Sequence, residues 1–270
     1  MNKVVGLLNA YEAGQRDFAG IDLSGANLTG VTLIGVNLSG ANLQGVALSR
    51  AFLTGTDLSG ARLNWADLRY TKLSDGCLEG ADLTRACLYG AFMVKSNCLR
   101  ARLSGANMSH VNLRGALLRE ANCCGTNLLG SNLRDADLCQ ANLNWANLTK
   151  ARLGNACLVG AHLIDVKLAG AYLDGATIQG VDLSNIDIGR YRTRVSQDGT
   201  AVYLQRQRRE LASPDKARQY ISRAEAIYAT SQYGVLPAVH IPLASYQALK
   251  ANGHLKPAIA QPTSSAYLHG

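Results

Sequence analysis

The sequence predicts an all-β solenoid built from five-residue units. Three observations carry that prediction. Every fifth position from Phe18 to Ile188 is apolar: of 35 such positions 28 are Leu, and the others are Phe18, Met93, Cys98, Met108, Cys123, Ile178 and Ile188. A helix repeats every 3.6 residues and a strand every 2, so neither explains a period of five. Two residues before these positions the chain carries Ala in 20 of 35 cases. Asn or Asp stands just before the large residue in 19 cases, and Gly stands two after it in 18. The frame never slips.

These positions describe a coil with one large and one small inward residue per unit. Four units make a square turn that closes after 20 residues and stacks on the next at about 4.8 Å. Asn or Asp can bond local backbone at the corner, and glycine relieves the turn there. Residues 16–190 give almost nine coils, a rod on the order of 42 Å long. The motif, A(N/D)LxG, is written plainly in "GANLTG", "GADLTR" and "DADLCQ". It resembles the pentapeptide-repeat family over 16–190, roughly two-thirds of the chain. The resemblance implies a right-handed quadrilateral β-helix, in a family abundant in cyanobacteria.

The flanking segments follow from the same logic. Residues 1–15 form an N-terminal cap: Val4, Leu7, Leu8 and Tyr11 keep helical spacing, so a short helix over 2–13 covers the first coil. The third segment, 191–270, is a mixed α/β C-terminal extension. "RYRTRVSQDGTAVYL" alternates apolar and polar residues around Asp198-Gly199 and reads as a hairpin that caps the last coil. Ser213-Pro214 reads as a helix start. Ala217, Tyr220, Ile221, Ala224 and Tyr228 then mark an amphipathic helix to about Ser231. "LPAVHIPL" reads as extended, a short helix ends at Gly253, and 256–270 read as a flexible tail.

Charge is uneven. Residues 16–190 hold 16 Lys+Arg against 14 Asp+Glu, and residues 191–270 hold 10 against 4. The extension is also tyrosine-rich, with seven of the eleven tyrosines. Its composition favours docking against the rod or another protein. "RQRRE" at 206–210 is read as a solvated charged turn. The seven cysteines include no zinc-type CxxC pair. Cys98 and Cys123 fall in the leucine register and read as buried small hydrophobes. Cys77 and Cys157 share a column but lie four coils apart, beyond disulfide reach. The chain therefore reads as reduced and cytoplasmic. The opening residues lack a signal-peptide pattern, and no stretch reaches the length of a membrane span.

Catalytic signals are missing: no phosphate loop, HExxH or GxSxG occurs. His110 and His162 stand in different columns of the repeat without a paired carboxylate or cysteine at motif spacing. Asp57, Asp67, Asp82 and Asp137 precede leucines and read as corner hydrogen-bonders. The expectation is no enzyme, no cofactor and no metal.

In a solenoid the informative positions break the consensus. Residues 19–49 are bland, with Asp22 the single charged side chain. From residue 50 the outward positions change, and the candidate partner-binding residues are Arg50, Phe52, Arg62, Trp65, Arg69, Tyr70, Lys72, Arg85, Phe92 and Trp145. Tyr220, Tyr228 and Tyr233 in the extension join them. Exposed aromatics beside arginines suit a protein-binding patch. "LNWADL" and "LNWANL" are near-copies, so block duplication and a simple Trp65–Arg85 cation–π contact are the plainer explanations.

The preferred function is a non-catalytic protein–protein interaction or scaffold module. It would dock into a larger assembly, by analogy a cyanobacterial photosynthetic or antenna complex, with peripheral association to a membrane-bound complex allowed. Two alternatives follow. Some members of the family mimic DNA and bind topoisomerases, but that mechanism wants an acidic rod and this one is near neutral. The basic tail could instead bind nucleic acid, which its few arginines support weakly.

Overall fold

The backbone N–H groups of a five-residue unit are bonded in a fixed pattern, and that pattern builds the architecture. In the computed structural model, the unit around Leu58 is typical. The Leu58 N–H bonds Cys77 O at 2.6 Å and the Gly60 N–H bonds Glu79 O at 2.8 Å, both in the following coil. The Asp57 N–H bonds Val36 O in the preceding coil at 2.9 Å, and the Ala61 N–H closes a turn onto Leu58 O at 3.0 Å. The Asp57 side chain accepts the fifth, from Ser59, at 2.8 Å. All five N–H groups of this unit are therefore bonded, which is what a stable interior requires. The corner prediction therefore holds, and Asp67, Asp82 and Asp137 accept the N–H of Arg69, Thr84 and Cys139 in the same way.

The pairing is parallel and joins residues 20 apart on all four sides, as in Asp17↔Asn37, Asp22↔Asn42, Asn27↔Ala47 and Thr32↔Phe52. This is the four-sided, 20-residue coil that the period required. The ladder contact is one residue long per side, because a corner follows every five residues. The rod is thus a stack of isolated bridges rather than of extended strands.

Inside, the middle of the leucine column is sealed: Leu53, Leu58, Leu63, Leu68 and Leu73 expose 0 %, while Leu168 and Leu183 toward its C-terminal end are half-buried. Cys98 and Cys123 are buried as expected. Threonines in the small column keep their hydroxyls satisfied, with Thr56, Thr71 and Thr126 donating to Leu33 O, Leu48 O and Leu103 O at 2.8–2.9 Å.

At the corners the residue two after the large one has a left-handed backbone. Gly60 (φ 61°) shows why glycine is common there. The same conformation is imposed on fifteen residues that are not glycine, including Arg50, Trp65, Tyr70, Arg85, His110 and Trp145. Each carries a local cost of about 1 kcal/mol or more.

Helix α1 (Lys3–Glu12) caps the N-terminal end. Leu7 is buried, and Val4, Ala10 and Tyr11 pack on the same core. Strands β1 (Tyr191–Val195) and β2 (Val202–Arg206) pair antiparallel, Tyr191 against Arg206. Leu204 of β2 is buried against the last coils, exchanging backbone bonds of 2.8 Å with Gly175 and Ala176. The described residues are 3–183, 186, 191–195 and 202–206. The readings on the helix after Ser213, the extended "LPAVHIPL", the helix ending at Gly253 and the flexible tail all lie outside them, as do Tyr220, Tyr228 and Tyr233. No described helix is long and apolar enough to cross a membrane.

Candidate functional site: the aromatic and arginine surface of residues 50–92

Five-residue spacing lays the consensus-breaking residues around two corners and the faces beside them. In the coil through Leu63, Leu68 and Leu73, Arg62 lies on one face and Trp65 at the next corner. Asp67 follows on the second face, Arg69-Tyr70 at the second corner and Lys72 on the third face. The bridges Phe52↔Lys72 and Lys72↔Phe92 place both phenylalanines in the Lys72 column. Tyr70 lies between Arg50 and Gly90, residues 20 before and after it. Trp65, Phe52, Tyr70 and Phe92 are exposed at 55 %, 46 %, 44 % and 40 %.

The contacts divide these residues into two groups. Arg69 is committed: it binds Asp67 through Nε at 2.8 Å and Nη2 at 2.7 Å. That hydrogen bond holds the Asp67 carboxyl below its ordinary range and raises the Arg69 guanidinium. Lys72 is also engaged, its Nζ lying 3.2 Å from the Phe92 ring centroid. Tyr70 lies over Gly90, where an added Cβ would sit 2.8 Å from its Cε1. It also meets Tyr89 edge to face at 5.5 Å, and Tyr89 meets His110 at 5.6 Å. By contrast Arg50, Arg62 and Arg85 have no ion-pair or side-chain hydrogen-bond partner among the described residues, nor does the indole of Trp65.

Trp65 and Arg85 form no cation–π contact; on this surface that contact is Lys72 over Phe92. The two tryptophans also differ. Trp145 donates from Nε1 to Asp165 Oδ2 at 3.2 Å. The residue 20 after Trp65 is Arg85, which offers no acceptor. Trp145 is four coils from Trp65, about 19 Å, so the structure separates it from the patch.

Phe52, Arg62, Lys72 and Phe92 share a further feature. They occupy the position where Asn or Asp would accept the corner N–H, so Thr54, Asn64, Ser74 and Val94 lack the corner bond that Ser59 makes.

Tyr89, a consensus-breaking outward residue outside the partner-binding set, joins Tyr70 to His110. The disulfide Cys139–Cys157, with Cα atoms 5.6 Å apart, is not foreseen from the sequence. It corrects the expectation of a fully reduced chain. The sequence signal is a separation of 18, which brings a corner residue against a face residue of the next coil. Asn64–Asp82 and Arg119–Asp137 meet by the same diagonal, at 3.1 Å each. Same-column reasoning looks only at multiples of 20 and misses it.

The pentapeptide-repeat family model matches residues 17–55, 48–85, 81–119, 116–155 and 156–189, in eight copies. The chain belongs to the pentapeptide-repeat family. Among solved structures it is similar to HetL, a pentapeptide-repeat protein involved in heterocyst differentiation regulation from the cyanobacterium Nostoc sp. strain PCC 7120. The two are 30 % identical over 70 % of this chain and 100 % of that one, with a TM-score of 0.32. A pentapeptide-repeat protein from the Arabidopsis thaliana thylakoid lumen is 28 % identical over 41 % of this chain and 70 % of that one, with a TM-score of 0.32. QnrB1, a plasmid-mediated fluoroquinolone resistance protein, is 15 % identical over 59 % of this chain and 90 % of that one, with a TM-score of 0.29. No curated protein sequence matches the chain.

Proposed function

We propose that the chain is a non-catalytic interaction module whose 50–92 surface grips a protein partner that presents carboxylates. The observation that carries this reading is the set of free donors. Arg50, Arg62, Arg85 and the Trp65 indole N–H have no partner among the described residues; Trp65 and Arg85 share one corner column, Arg62 lies on the face before it and Arg50 at the following corner. All are donors without acceptor capacity, and carboxylates are acceptors only. Trp65 and the rim of Tyr70 supply apolar area at the two corners, and Phe52 adds more on the face opposite Arg62. Nucleic acid fits less well. Lys72 covers Phe92 and Tyr70 lies on the Gly90 backbone, so two of the four exposed rings lack the open face that base stacking needs. The near-neutral rod also lacks the acidity of a DNA mimic.

In this reading 1–15 is the cap, 16–190 a right-handed rod, and 191–270 an extension whose Tyr220, Tyr228 and Tyr233 add a second contact. The host named above, a photosynthetic or antenna assembly, rests on the family's abundance in cyanobacteria alone. A cytoplasmic location has to accommodate Cys139–Cys157.

Affinity capture from the native cell tests the proposal, using wild type and a Trp65→Ala/Tyr70→Ala/Phe92→Ala variant of matching circular dichroism. Wild type should recover a partner that the variant loses. Equal recovery by both would remove the 50–92 surface from the function.

A further inference from the structure

We propose that Cys139–Cys157 is a reversible thiol–disulfide exchange site that staples two neighbouring coils and governs fraying of the C-terminal end of the rod. It lies away from the 50–92 surface and does not depend on the reading of that surface. The pair sits on the corner-to-face diagonal, one rung beyond Arg119–Asp137. Asp137 touches both rungs: it accepts Arg119 Nη2 at 3.1 Å through Oδ2 and the Cys139 N–H at 2.9 Å through Oδ1.

The backbone holds the two cysteines together without help from the sulfur bond. The Leu138 N–H bonds Cys157 O at 2.8 Å, the Cys157 N–H bonds Ala136 O at 2.9 Å, and the Gln140 N–H bonds Val159 O at 2.8 Å. Asp137 and Cys157 are a bridge pair. Reduction therefore leaves two thiols facing each other across an intact ladder, and exchange with the disulfide form of a dithiol, which takes up the two electrons and two protons, re-forms the bond without any search. Both redox states keep the fold.

Access is asymmetric. Cys139 exposes 6 % and Cys157 is half-buried, so an incoming thiolate meets the Cys157 sulfur. A dithiol reductant attacks there, forming a mixed disulfide and releasing Cys139 as a thiolate that takes up a proton. Its second thiol then attacks its own sulfur of the mixed disulfide and releases Cys157 as the second thiol. Two electrons and two protons pass from the dithiol to the protein. The remaining cysteines fit a chain that meets reductants. Cys77, Cys87 and Cys124 stay free and half-buried. Cys98 and Cys123 are sealed in the core, their thiols pushed up to about 11 and about 12 by burial.

The consequence follows from repeat energetics. A solenoid is held by neighbour-to-neighbour contacts and opens from its ends. A cross-link between residues 139 and 157 stops an opening that starts beyond Cys157 from passing into the coil below. The test is hydrogen exchange by mass spectrometry on the full chain, after native treatment with a dithiol or with a mild oxidant. Thiol labelling should show reduction without denaturant. Exchange over residues 136–160 should then speed up by about a hundredfold, while residues 96–115 stay unchanged. A Cys139→Ser/Cys157→Ser variant should match the reduced wild type whatever the redox treatment. A bond that forms in no condition, one that resists the dithiol until the protein is unfolded, or exchange that is equal in both states would each overturn the proposal.

Discussion

Replacing Gly90 with alanine should cost more than replacing Gly60, although both are corner glycines with the same backbone. Their φ angles are 64° and 61°. Each alanine therefore meets the same left-handed penalty, about 1 kcal/mol, partly offset by a stiffer unfolded chain. The surroundings differ. A Cβ on Gly60 meets nothing within 4 Å, whereas on Gly90 it lies 2.8 and 2.9 Å from Cε1 and Cδ1 of Tyr70. The tyrosine is free to swing outward, so the clash is relieved by moving the ring rather than the backbone. What is lost is the edge contact between Tyr70 and Tyr89, 5.5 Å between centroids, about 0.5–1.5 kcal/mol. Gly90→Ala should thus be about 1 kcal/mol worse than Gly60→Ala. In a Tyr70→Gly background, which restores the repeat's own residue, the excess should vanish. Urea unfolding followed by circular dichroism and tryptophan fluorescence measures this, using variants whose two transitions coincide. Equal losses at Gly90 and Gly60, or an excess that survives in the Tyr70→Gly background, would refute the reasoning.

Neighbouring leucines make a second comparison: Leu118, buried on the inward column, should lose about 2–5 kcal/mol on change to Ala. Leu117, exposed at 48 %, should change by less than about 0.5 kcal/mol in the same unfolding assay. The Asp67 carboxyl is depressed chiefly by the Arg69 hydrogen bond, so its contribution to stability is present above the unfolded-state value and fades as pH falls through the folded one. Titration by NMR should show Asp67 moving toward the ordinary value in Arg69→Gln. Cys98 and Cys123 have raised pKa values, chiefly through burial. Iodoacetamide on the native protein should therefore modify Cys77, Cys87 and Cys124 and spare both, as mass spectrometry would report; labelling of Cys98 before unfolding would contradict the sealed core.

The rod was legible because its signal is positional. Leu every fifth residue, Ala two before and Asn or Asp one before each map onto one inward large, one inward small and one corner-bonding role. The structure assigns them so at Leu58, Ala61 and Asp57. The candidate surface was legible as a departure from that pattern, since Trp65 and Phe52 are exposed where the repeat puts Gly and Asn. What escaped is what depends on pairs. Whether Arg69 is free or bound is decided by Asp67 two residues earlier, and Lys72 by Phe92 twenty later. Trp145 and Trp65 sit in near-identical hexapeptides, yet Asp165 ties one and Arg85 leaves the other unpaired. The Cys139–Cys157 disulfide escaped because a separation of 18 crosses from corner to face.

Those two tryptophans provide the most direct measurement. A photoreactive benzoylphenylalanine placed at Trp65 in one strain and at Trp145 in another, then irradiated in the native cell, compares two chemically similar corners of one rod. The donor-rich surface predicts a discrete cross-linked protein from position 65, diminished by Arg50→Gln/Arg62→Gln/Arg85→Gln, and none from position 145. The same adduct from both positions, or none from position 65 while 145 reacts, would contradict the assignment of partner binding to the 50–92 surface.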